Sequence, residues 1–466
     1  MCSFLRGNLV LTPRVFAPIL QYGALGWNIA YQWMTSDLNF AQANLKLFLD
    51  QNPTVPWEAL NIITADVIYG GRVTDKQDVR LTRAILGIYF SPDALDHPDT
   101  FSYCAPLDDR FRYCAPPEGD IEVYRKAISA FPLIDRPEIF GLHQNADITF
   151  QTKESTQMLE TIISLQPRTG GGGGGKTSDE VVGEVADDLV TRLPKPLNIK
   201  NAGAATFAKL EDGSVNPLGI FLGQEVQKFN AMLGQIKKML FELQRGIKGL
   251  VVMSAQLDTV YAALLFAIVP TYWGEGGKGY PSLKPLASWY KDFLERFTFM
   301  ESWLVGGQPS SYWVSAVFFP QGFFTSALQA YARKYKEPID LLEFVPTVQP
   351  YKGLEDVPEP PADGVYIHGM YVEGARFDAD EMCMAESHLG ELFAPMNVVH
   401  LMPMAIGPDR TNGMYECPFY KTNVRAGTLS TTGHSTNHVC NFLLPCKEDP
   451  MFWVRRGTAL VSMTND

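Results

Sequence analysis

The feature that most restricts the fold is an apolar seam in the middle of the chain, in which apolar residues recur four and three positions apart. The seam consists of Leu222, Val226, Phe229, Leu233, Ile236, Leu240, Leu243 and Ile247. This spacing predicts one long helix, beginning near Pro217, with a single face that must be buried. The face is buried either inside its own domain or in a zipper between two chains. Gly234 and Gly246 weaken a long free helix and favour the first interpretation.

Length and charge restrict the class of protein. A chain of 466 residues is too long for one ordinary core, so we expect two or three domains. The net charge of -12 argues against a general nucleic-acid-binding protein, which needs a basic face. No run of about 18 uninterrupted apolar residues occurs, so we expect no transmembrane helix. The seven cysteines include no CxxC pair, and we interpret them as free thiols of a reducing compartment.

Residues 22–150 are predicted to form a small all-helical unit. Thr35, Ser36 and Asp37 supply a helix cap, and the apolar spacing that follows ends near Pro53. Further helices are predicted at 56–71, at about 76–90 and at 121–130. Residues 91–119, which contain Cys104 and Cys114 in a repeated YCAP, are predicted to be a loop. Residues 1–21 are interpreted as a leader or the remnant of a preceding segment.

The rest of the chain is predicted to be a helical bundle followed by a β unit, which makes the fold class α+β. The bundle, residues 151–338, contains helices at 152–165, 179–192, 217–247, after Ser254, at 286–304 and at 321–335. The β unit, residues 339–466, contains strands at 343–348, 365–372, 397–404, 438–444 and 453–463. Short sequential strands predict an antiparallel sheet that closes toward a barrel.

Two stretches within the β unit are unusual. Residues 363–376, DGVYIHGMYVEGAR, combine β-branched and aromatic residues with glycines, and they predict a strand pair with a tight connection. Residues 427–437, GTLSTTGHSTN, are polar and lie between glycines. Neither stretch carries a recognisable set of reacting side chains.

The glycine run at 170–175, with the two residues after it, matches the sequence motif of a phosphate-binding loop. Gly170, Gly175, Lys176 and Thr177 have the required spacing, with Lys176 on the outer phosphates and Thr177 on magnesium. Such a loop needs a buried strand before it, whereas residues 154–166 have helical spacing. Six consecutive glycines also resist a fixed shape. We therefore favour a flexible linker and regard the motif as a decoy.

Other polar residues are given structural interpretations. His434 and His438, with Cys440 nearby, are interpreted as hydrogen-bonding residues rather than zinc ligands. Ser430, Ser435 and His434 lack the nucleophile-elbow pattern. Arg72, Asp75, Asp78 and Arg80 are interpreted as capping and salt-bridging residues at a helix start. Trp27, Trp57, Trp303, Trp313 and Trp453 are expected to be core or interface anchors.

Several short sequence segments resemble segments of one protein family, and they occur in the same order as in that family. YGALGWNI, LKLFLDQ, VPWEAL and YGGRVTDKQDVR resemble the helical lid of the sixth AAA+ module in dynein heavy chains, and GLHQNADITF resembles the junction that follows it. Six later segments resemble the dynein C-terminal domain, and their sequences are most similar to those of the axonemal, inner-arm-like group. These segments are LQRGIKGLVVMS, YPSLKPLASW, FFPQGFFTSALQAYARKY, DGVYIHGMYVEGARFD, YECPFYKT and RAGTLSTTGHSTN. The resemblance extends from Tyr22 to the end.

The resemblance implies an ATP-driven, minus-end-directed microtubule motor of cilia and flagella, located in the cytoplasm, the cytoskeleton and the axoneme. ATP and magnesium would be used by earlier modules of the parent motor, and the sixth module would bind no nucleotide. This segment would stiffen the ring, without catalytic, cofactor or metal residues. Its partners would be the other AAA+ modules and, through the parent motor, intermediate chains, light chains and microtubules, but neither nucleic acid nor membrane. A lid without its large subdomain is expected to expose apolar surface.

Two alternatives remain open. The first is a free-standing scaffold protein that docks on axonemal partners through the seam at 222–247. The second is a P-loop nucleotidase that uses Lys176 and Thr177, in which case the isolated chain would bind ATP.

Overall fold

A computed structural model of the chain places most of its residues. It describes residues 26–29, 31–92, 119–129, 137–140, 142–165, 176–210, 213–274, 278–280, 282, 284–407, 412–427 and 435–462. The predictions for residues 1–21, the YCAP repeat, Gly170, Gly175, Ser430 and His434 lie outside these residues. None of the described helices is long and apolar enough to cross a membrane.

Helices occupy the first two thirds of the chain. They are α1 Thr35–Gln51, α2 Trp57–Ile62, α3 Lys76–Tyr89, α4 Ile121–Ser129, α5 Asn145–Leu165, α6 Ser178–Arg192, α7 Pro217–Ile247, α8 Ala255–Leu265, α9 Leu286–Gly306, α10 Pro320–Tyr335 and, among the strands, α11 Pro450–Arg455. The helix predicted at 56–71 continues past α2 as a π-helix, Ile63–Tyr69, and a short 3-10 turn, Gly70–Arg72. The predicted helical parts are otherwise confirmed, with small shifts of their ends.

Helix α7 is the centre of the bundle. Six of its seam residues are at most 1% exposed, Leu233 is 2% exposed and Ile247 is partly buried. They pack against α6, α8, α9 and α10 of the same chain. The seam is therefore an internal core, so the homodimer zipper is wrong, and the same face is not available as a docking surface for a scaffold.

In the described part of the chain, eleven strands follow the bundle or lie at its edge. They are β1 Tyr312–Trp313, β2 Leu342–Val348, β3 Val365–His368, β4 Tyr371–Glu373, β5 Arg376–Asp378, β6 Cys383–Ala385, β7 Phe393–Pro395, β8 Val399–Ala405, β9 Met414–Tyr420, β10 His438–Pro445 and β11 Ala459–Val461. They form sheets with the orders β1-β3-β8-β2, β10-β9-β11-β4-β7 and β5-β6. The α+β class is confirmed.

The predicted antiparallel barrel is wrong for the described strands. Two pairs, β1 with β3 and β9 with β11, are parallel, and no hydrogen-bonded ladder joins the described sheets into a closed ring. Parallel pairing requires a long crossover, and both pairs are separated by long stretches of chain. Within the stretch 453–463, predicted as one strand, residues 453–455 belong to helix α11, which Asp449 caps, and Ala459–Val461 forms the strand β11. Strands β1, β5, β6, β7 and β9 were not predicted.

The stretch 363–376 does not form the predicted strand pair. Strand β3 pairs with β8 and β1, whereas β4 pairs with β7 and β11, so the chain passes from one sheet to the other. Gly369 makes this crossing possible, because it adopts φ +85°. A Cβ atom at this position would lie 2.3 Å from Trp313 Cδ1 and 2.9 Å from Ser315 Oγ.

Substitution of this glycine tests the crossing. We expect Gly369→Ala to lower the free energy of unfolding by about 2–4 kcal/mol, because the left-handed backbone is disfavoured and the new methyl group overlaps Trp313. Gly390→Ala is the matched control, since Gly390 has φ +86° but nothing within 4 Å of the added Cβ. The control should cost only about 1–2 kcal/mol in the same denaturant titration. Equal costs at the two positions would refute the steric part of this account.

One hydrophobic core joins the two ends of the chain. It contains Trp27 and Leu81 near the start, the buried face of α7, and Trp453 and Leu460 near the end. Trp27, Trp303 and Trp453 are buried as expected, and Trp57 and Trp313 are partly buried. A smaller cluster around Leu45 and Leu60 holds α1, α2 and α3 together.

Candidate functional site

A buried polar cluster lies where the first helices meet the β unit. We call it the polar junction, and it consists of Asn28, Tyr31, Asp75, Asp78, Tyr420 and Ser435. All six are at most 9% exposed. Buried polar groups are costly unless they are hydrogen-bonded, so such a cluster requires a defined set of partners.

Asp75 is the central acceptor of the polar junction. As the N-cap of α3 it accepts hydrogen bonds from the backbone N–H of Gln77 at 2.8 Å and from that of Asp78 at 3.4 Å. The backbone N–H of Asp75 donates to the Tyr31 hydroxyl at 3.2 Å. The capping prediction is therefore confirmed for Asp75, and the salt-bridge prediction for Arg72, whose Nε lies 3.1 Å from Asp37.

The same carboxylate connects distant parts of the chain. Asn28 Nδ2 donates to Asp75 Oδ1 at 2.8 Å and to the Tyr420 hydroxyl at 2.9 Å. The backbone N–H of Ser435 donates to Asp75 Oδ2 at 3.1 Å. Ser435 belongs to the polar stretch 427–437, so the structure brings together a helix cap and a loop that are separated by 360 positions.

Asp78 is the second buried carboxyl of the junction. It accepts from the backbone N–H of Asn28 at 2.8 Å and from that of Ile29 at 3.1 Å. Burial raises the pKa of Asp78 to about 7, with a contribution from the negative charge of Asp75, although the hydrogen bonds from Asn28 and Ile29 act in the opposite direction. Burial and the charge of Asp78 raise the pKa of Tyr31 to about 12, so this phenol is neutral at physiological pH.

The raised pKa of Asp78 predicts a pH-dependent stability. The folded chain holds this proton more tightly than the unfolded chain does. The resulting stabilisation is complete below about pH 4 and is lost as the pH rises through about 7. Asp78→Asn is neutral at every pH and lacks this dependence. Between pH 5 and pH 8, we expect the free energy of unfolding of the natural chain to fall relative to that of Asp78→Asn by about 2 kcal/mol. Urea titrations at both pH values measure it, and a constant difference would contradict the raised pKa.

Two further contacts border the junction. Arg80 Nη1 donates to the Glu416 carbonyl at 2.7 Å, and its guanidinium lies 5.5 Å from the centre of the Tyr415 ring. Gln77 Nε2 donates to Asn441 Oδ1 at 3.3 Å. Helix α3 is therefore held against both β9 and β10 by contacts outside the buried cluster.

A second attachment lies at the start of α5. Asn145 Nδ2 donates to the carbonyls of His388 and Glu391, both at 2.9 Å, and its Oδ1 accepts from the Gly390 N–H at 2.9 Å. Arg456 donates to the Leu142 carbonyl and lies 3.0 Å from Glu386. The segment before α5 is thus bound to the β unit as well.

Lys176 and Thr177 lie at the N-terminal end of α6 in this structure. Thr177 Oγ1 accepts from the Glu180 N–H at 3.2 Å, and Glu180 Oε2 accepts from the Thr177 N–H at 2.7 Å, which completes a capping box. Lys176 Nζ lies 2.6 Å from Glu184. The element before the glycine run is the helix α5, and α6 packs on α7 and α8. These contacts favour the linker interpretation, with Gly170 and Gly175 outside the described residues.

The predicted histidine role is confirmed for His438. Its Nε2 lies 2.8 Å from Asn441 Oδ1, and its ring lies 5.5 Å from that of Tyr420. Burial raises the pKa of the nearby Cys440 thiol, so it is a poor thiolate ligand. Within the residues that the structure describes, no group of three or more His, Cys, Asp and Glu side chains could hold a metal ion.

Sequence reasoning identified Asp75, Asp78 and Ser435, but not that they meet. It missed Asn28, which donates to both Asp75 and Asp78, and Tyr420, whose hydroxyl accepts from Asn28. Both lie in the phrases YGALGWNI and YECPFYKT, but a residue type alone does not reveal a contact across 392 positions.

Comparisons with known proteins identify the family. Residues 152–462 match the model of the C-terminal domain of dynein heavy chains, and residues 15–146 match that of the AAA lid domain of dynein heavy chains. The chain belongs to the dynein heavy-chain family. It is 42% identical over 470 residues to dynein axonemal heavy chain 6 of Homo sapiens, and the match covers 96% of this chain and 11% of that protein.

Two other dynein heavy chains give the same picture. Dynein axonemal heavy chain 1 of Homo sapiens is 39% identical over 441 residues, covering 95% of this chain and 10% of that protein. Dynein axonemal heavy chain 12 of Rattus norvegicus is 38% identical over 442 residues, covering 95% of this chain and 14% of that protein. The chain thus spans about a tenth of the length of these dynein relatives. Within it, Asp75 lies in the region matched to the lid and Ser435 in the region matched to the C-terminal domain.

Proposed function

We propose that this chain is the C-terminal part of an axonemal dynein heavy chain and couples the lid of the sixth AAA+ module to the C-terminal domain. The parent protein would be an ATP-driven, minus-end-directed microtubule motor of the ciliary and flagellar axoneme, in the cytoplasm and cytoskeleton. ATP and magnesium would act in other modules of that motor. The segment itself would have a structural role and no active site.

The observation that carries this proposal is the polar junction. Two of its hydrogen bonds cross from one side to the other: Asn28 Nδ2 donates to the Tyr420 hydroxyl, and the Ser435 N–H donates to Asp75 Oδ2. Buried, charge-assisted hydrogen bonds are lost together when either side moves, so the two regions should move as one body. Coupling is the physical role that such a junction performs.

We further propose a division of the chain into four parts. Residues 1–21 would be a leader or the remnant of the preceding AAA+ subdomain, and residues 22–150 the lid. Residues 151–338 would be the helical part of the C-terminal domain, and residues 339–466 its β part. The match to two family models, at 15–146 and 152–462, supports a boundary near residue 150.

The proposed partners are the other AAA+ modules of the ring and, through the parent motor, intermediate chains, light chains and microtubules. Neither nucleic acid nor membrane is among them. Apolar side chains of the first helices support a protein contact there: Met34, Phe40, Leu47, Ile62 and Val67 are 47–62% exposed. Apolar side chains that gather on one exposed surface are typical of protein-interaction sites.

The proposal is tested in a full-length heavy chain that carries Asp75→Ala. If the junction couples lid and C-terminal domain, ATP-driven microtubule gliding should slow at least about fivefold, while ATP hydrolysis without microtubules stays within about twofold. Asp449→Ala, which removes an exposed helix cap, is the control and should glide normally. Normal gliding by a folded Asp75→Ala motor would overturn the coupling role.

The nucleotidase alternative has its own test. We expect ATP with Mg²⁺ at about 1 mM to leave the Tm of the 466-residue chain unchanged, because Lys176 and Thr177 are engaged by Glu184 and Glu180. Differential scanning fluorimetry measures this, with Lys176→Ala alongside. A rise in Tm that Lys176→Ala abolishes would establish a nucleotide site instead.

A further inference from the structure

The C-terminal half of α7 carries a basic stripe on its exposed side. Lys237, Phe241 and Arg245 of α7 and Lys248, its C-cap residue, follow one another at intervals of four, four and three, so they lie on one side of the helix. The three cations are exposed, and Phe241 is 44% exposed. The buried seam lies on a different side of the same helix. With a rise of 1.5 Å per residue, the stripe is about 17 Å long.

An apolar tip continues this stripe. Leu250 is 67% exposed and Val252 is 88% exposed. They follow Gly249, whose φ of +71° ends α7. The Leu250 N–H donates to the Arg245 carbonyl at 2.8 Å, and the Gly249 N–H donates to the Gly246 carbonyl at 2.9 Å, which is the Schellman pattern. In a Schellman motif the residue after the glycine usually packs on an apolar side chain in the last turn of the helix. Here these two positions are Leu250 and Arg245. Leu250 therefore lacks the usual apolar partner.

The tip has a fixed shape. Met253 packs against Gly246, where an added Cβ would lie 2.5 Å from the Met253 sulfur. Ser254 Oγ accepts from the Leu257 N–H at 3.3 Å and caps α8. The tip is therefore held between two capped helix ends, and little conformational freedom remains to be lost on binding.

The charge of the stripe is opposite to that of the whole chain, which carries a formal net charge of -12. In the described part of the chain, no carboxylate lies within 4.0 Å of Lys237, Arg245 or Lys248, whereas the neighbouring Lys238 lies 3.9 Å from Glu242. Among the described residues, these three cations therefore have no ion-pair partner. They are available to a negatively charged partner.

We propose that the basic stripe and the apolar tip together dock an acidic amphipathic segment of a partner protein. Its apolar side chains contact Phe241, Leu250 and Val252, and its carboxylates face Lys237, Arg245 and Lys248. Charge complementarity supplies the specificity, and the exposed apolar side chains supply the buried area.

A flat anionic membrane fits this surface less well than a narrow peptide does. Carboxylates flank the stripe on both sides: Asp187 Oδ1 accepts from Gln244 Nε2 at 2.6 Å, and Glu242 lies beside Lys238. A broad anionic surface would be repelled by them, whereas a single helix contacts the stripe alone.

The test uses the 466-residue chain and a synthetic probe. The probe is a fluorescein-labelled helix of about 18 residues, with leucines on one face and glutamates elsewhere, and its control has the same composition in scrambled order. Fluorescence anisotropy should show binding that weakens with salt. We expect Lys248→Glu and Val252→Ser each to weaken binding at least about tenfold, because each removes one part of the surface.

Matched variants elsewhere keep the test specific. Lys291→Glu changes another exposed lysine, and Leu389→Ser changes a leucine that is 72% exposed, and neither should alter binding. Thermal melts confirm that all variants are folded. No probe binding at about 1 mM overturns the proposal. It is also overturned if the scrambled peptide binds equally, if phosphatidylserine vesicles bind in place of the peptide, or if the stripe variants change only self-association in sedimentation.

Discussion

Replacing Arg296 by methionine is expected to destabilise the chain by about 3 kcal/mol or more, the largest effect that we predict for a single side chain. Arg296 is 1% exposed and its Nε lies 2.6 Å from Asp292, which is 8% exposed. Its guanidinium also donates to the Ser315 carbonyl and lies 4.2 Å from the centre of the Tyr280 ring. Without it, a buried carboxylate lacks its main partner. Lys284 Nζ, which lies 3.7 Å from Asp292 Oδ1, restores only part of the attraction.

Two further variants separate the buried charge from the packing. Lys291→Met removes an exposed partner of Glu295 on the same helix, α9, and should change the free energy of unfolding by less than about 1 kcal/mol. The double variant Arg296→Met with Asp292→Leu removes both charges and should recover at least about half of the loss. If the double variant is as unstable as the single one in guanidinium titrations, packing rather than charge explains the cost.

Asp75→Ala is expected to lower the free energy of unfolding by about 2–4 kcal/mol. The substitution removes the cap of α3, deprives Asn28 Nδ2 of one of its two acceptors and leaves the Ser435 N–H without its buried acceptor. Relief of repulsion with Asp78 offsets part of the loss. The natural chain and the variant are compared by urea titration at pH 7.

Asp449→Ala is the control for the cap alone. Asp449 is the N-cap of α11 and accepts from the Met451 N–H at 3.0 Å, but it is exposed and has no such bridge to a distant described segment. Its loss should cost about 1 kcal/mol. If the two variants lose the same stability, the connection between Asp75 and the β unit contributes nothing, and the junction is only a capped helix.

Local patterns predicted the helices well, because a helix is determined by spacing and caps that lie close in sequence. The seam from Leu222 to Ile247 required burial, and Ser254 and Asp75 cap their helices as their types predicted. Sheets were predicted less well. The sequence pattern of a strand does not determine which other strand it pairs with. The predicted β3–β4 pairing was therefore wrong, even though both strands were correctly located.

The polar junction was beyond prediction from local pattern for the same reason. Asp75 gave a cap signal and Ser435 lay in a noticeable polar stretch, but their meeting depends on the complete fold. Asn28 gave no signal of its own, since one asparagine after a tryptophan is typical of many loops. Contacts between residues hundreds of positions apart follow from topology, not from propensity.

Native-state hydrogen exchange of the 466-residue chain tests the central claim most directly. The claim is that the lid region and the C-terminal domain open as one unit through the polar junction. The account predicts that the slowest amides of α3, Lys76–Tyr89, and β9, Met414–Tyr420, exchange with the same opening free energy, and that Asp75→Ala lowers both together. If α3 opens several kcal/mol more easily than β9, and Asp75→Ala affects α3 alone, the two regions are not coupled and the proposed role is wrong.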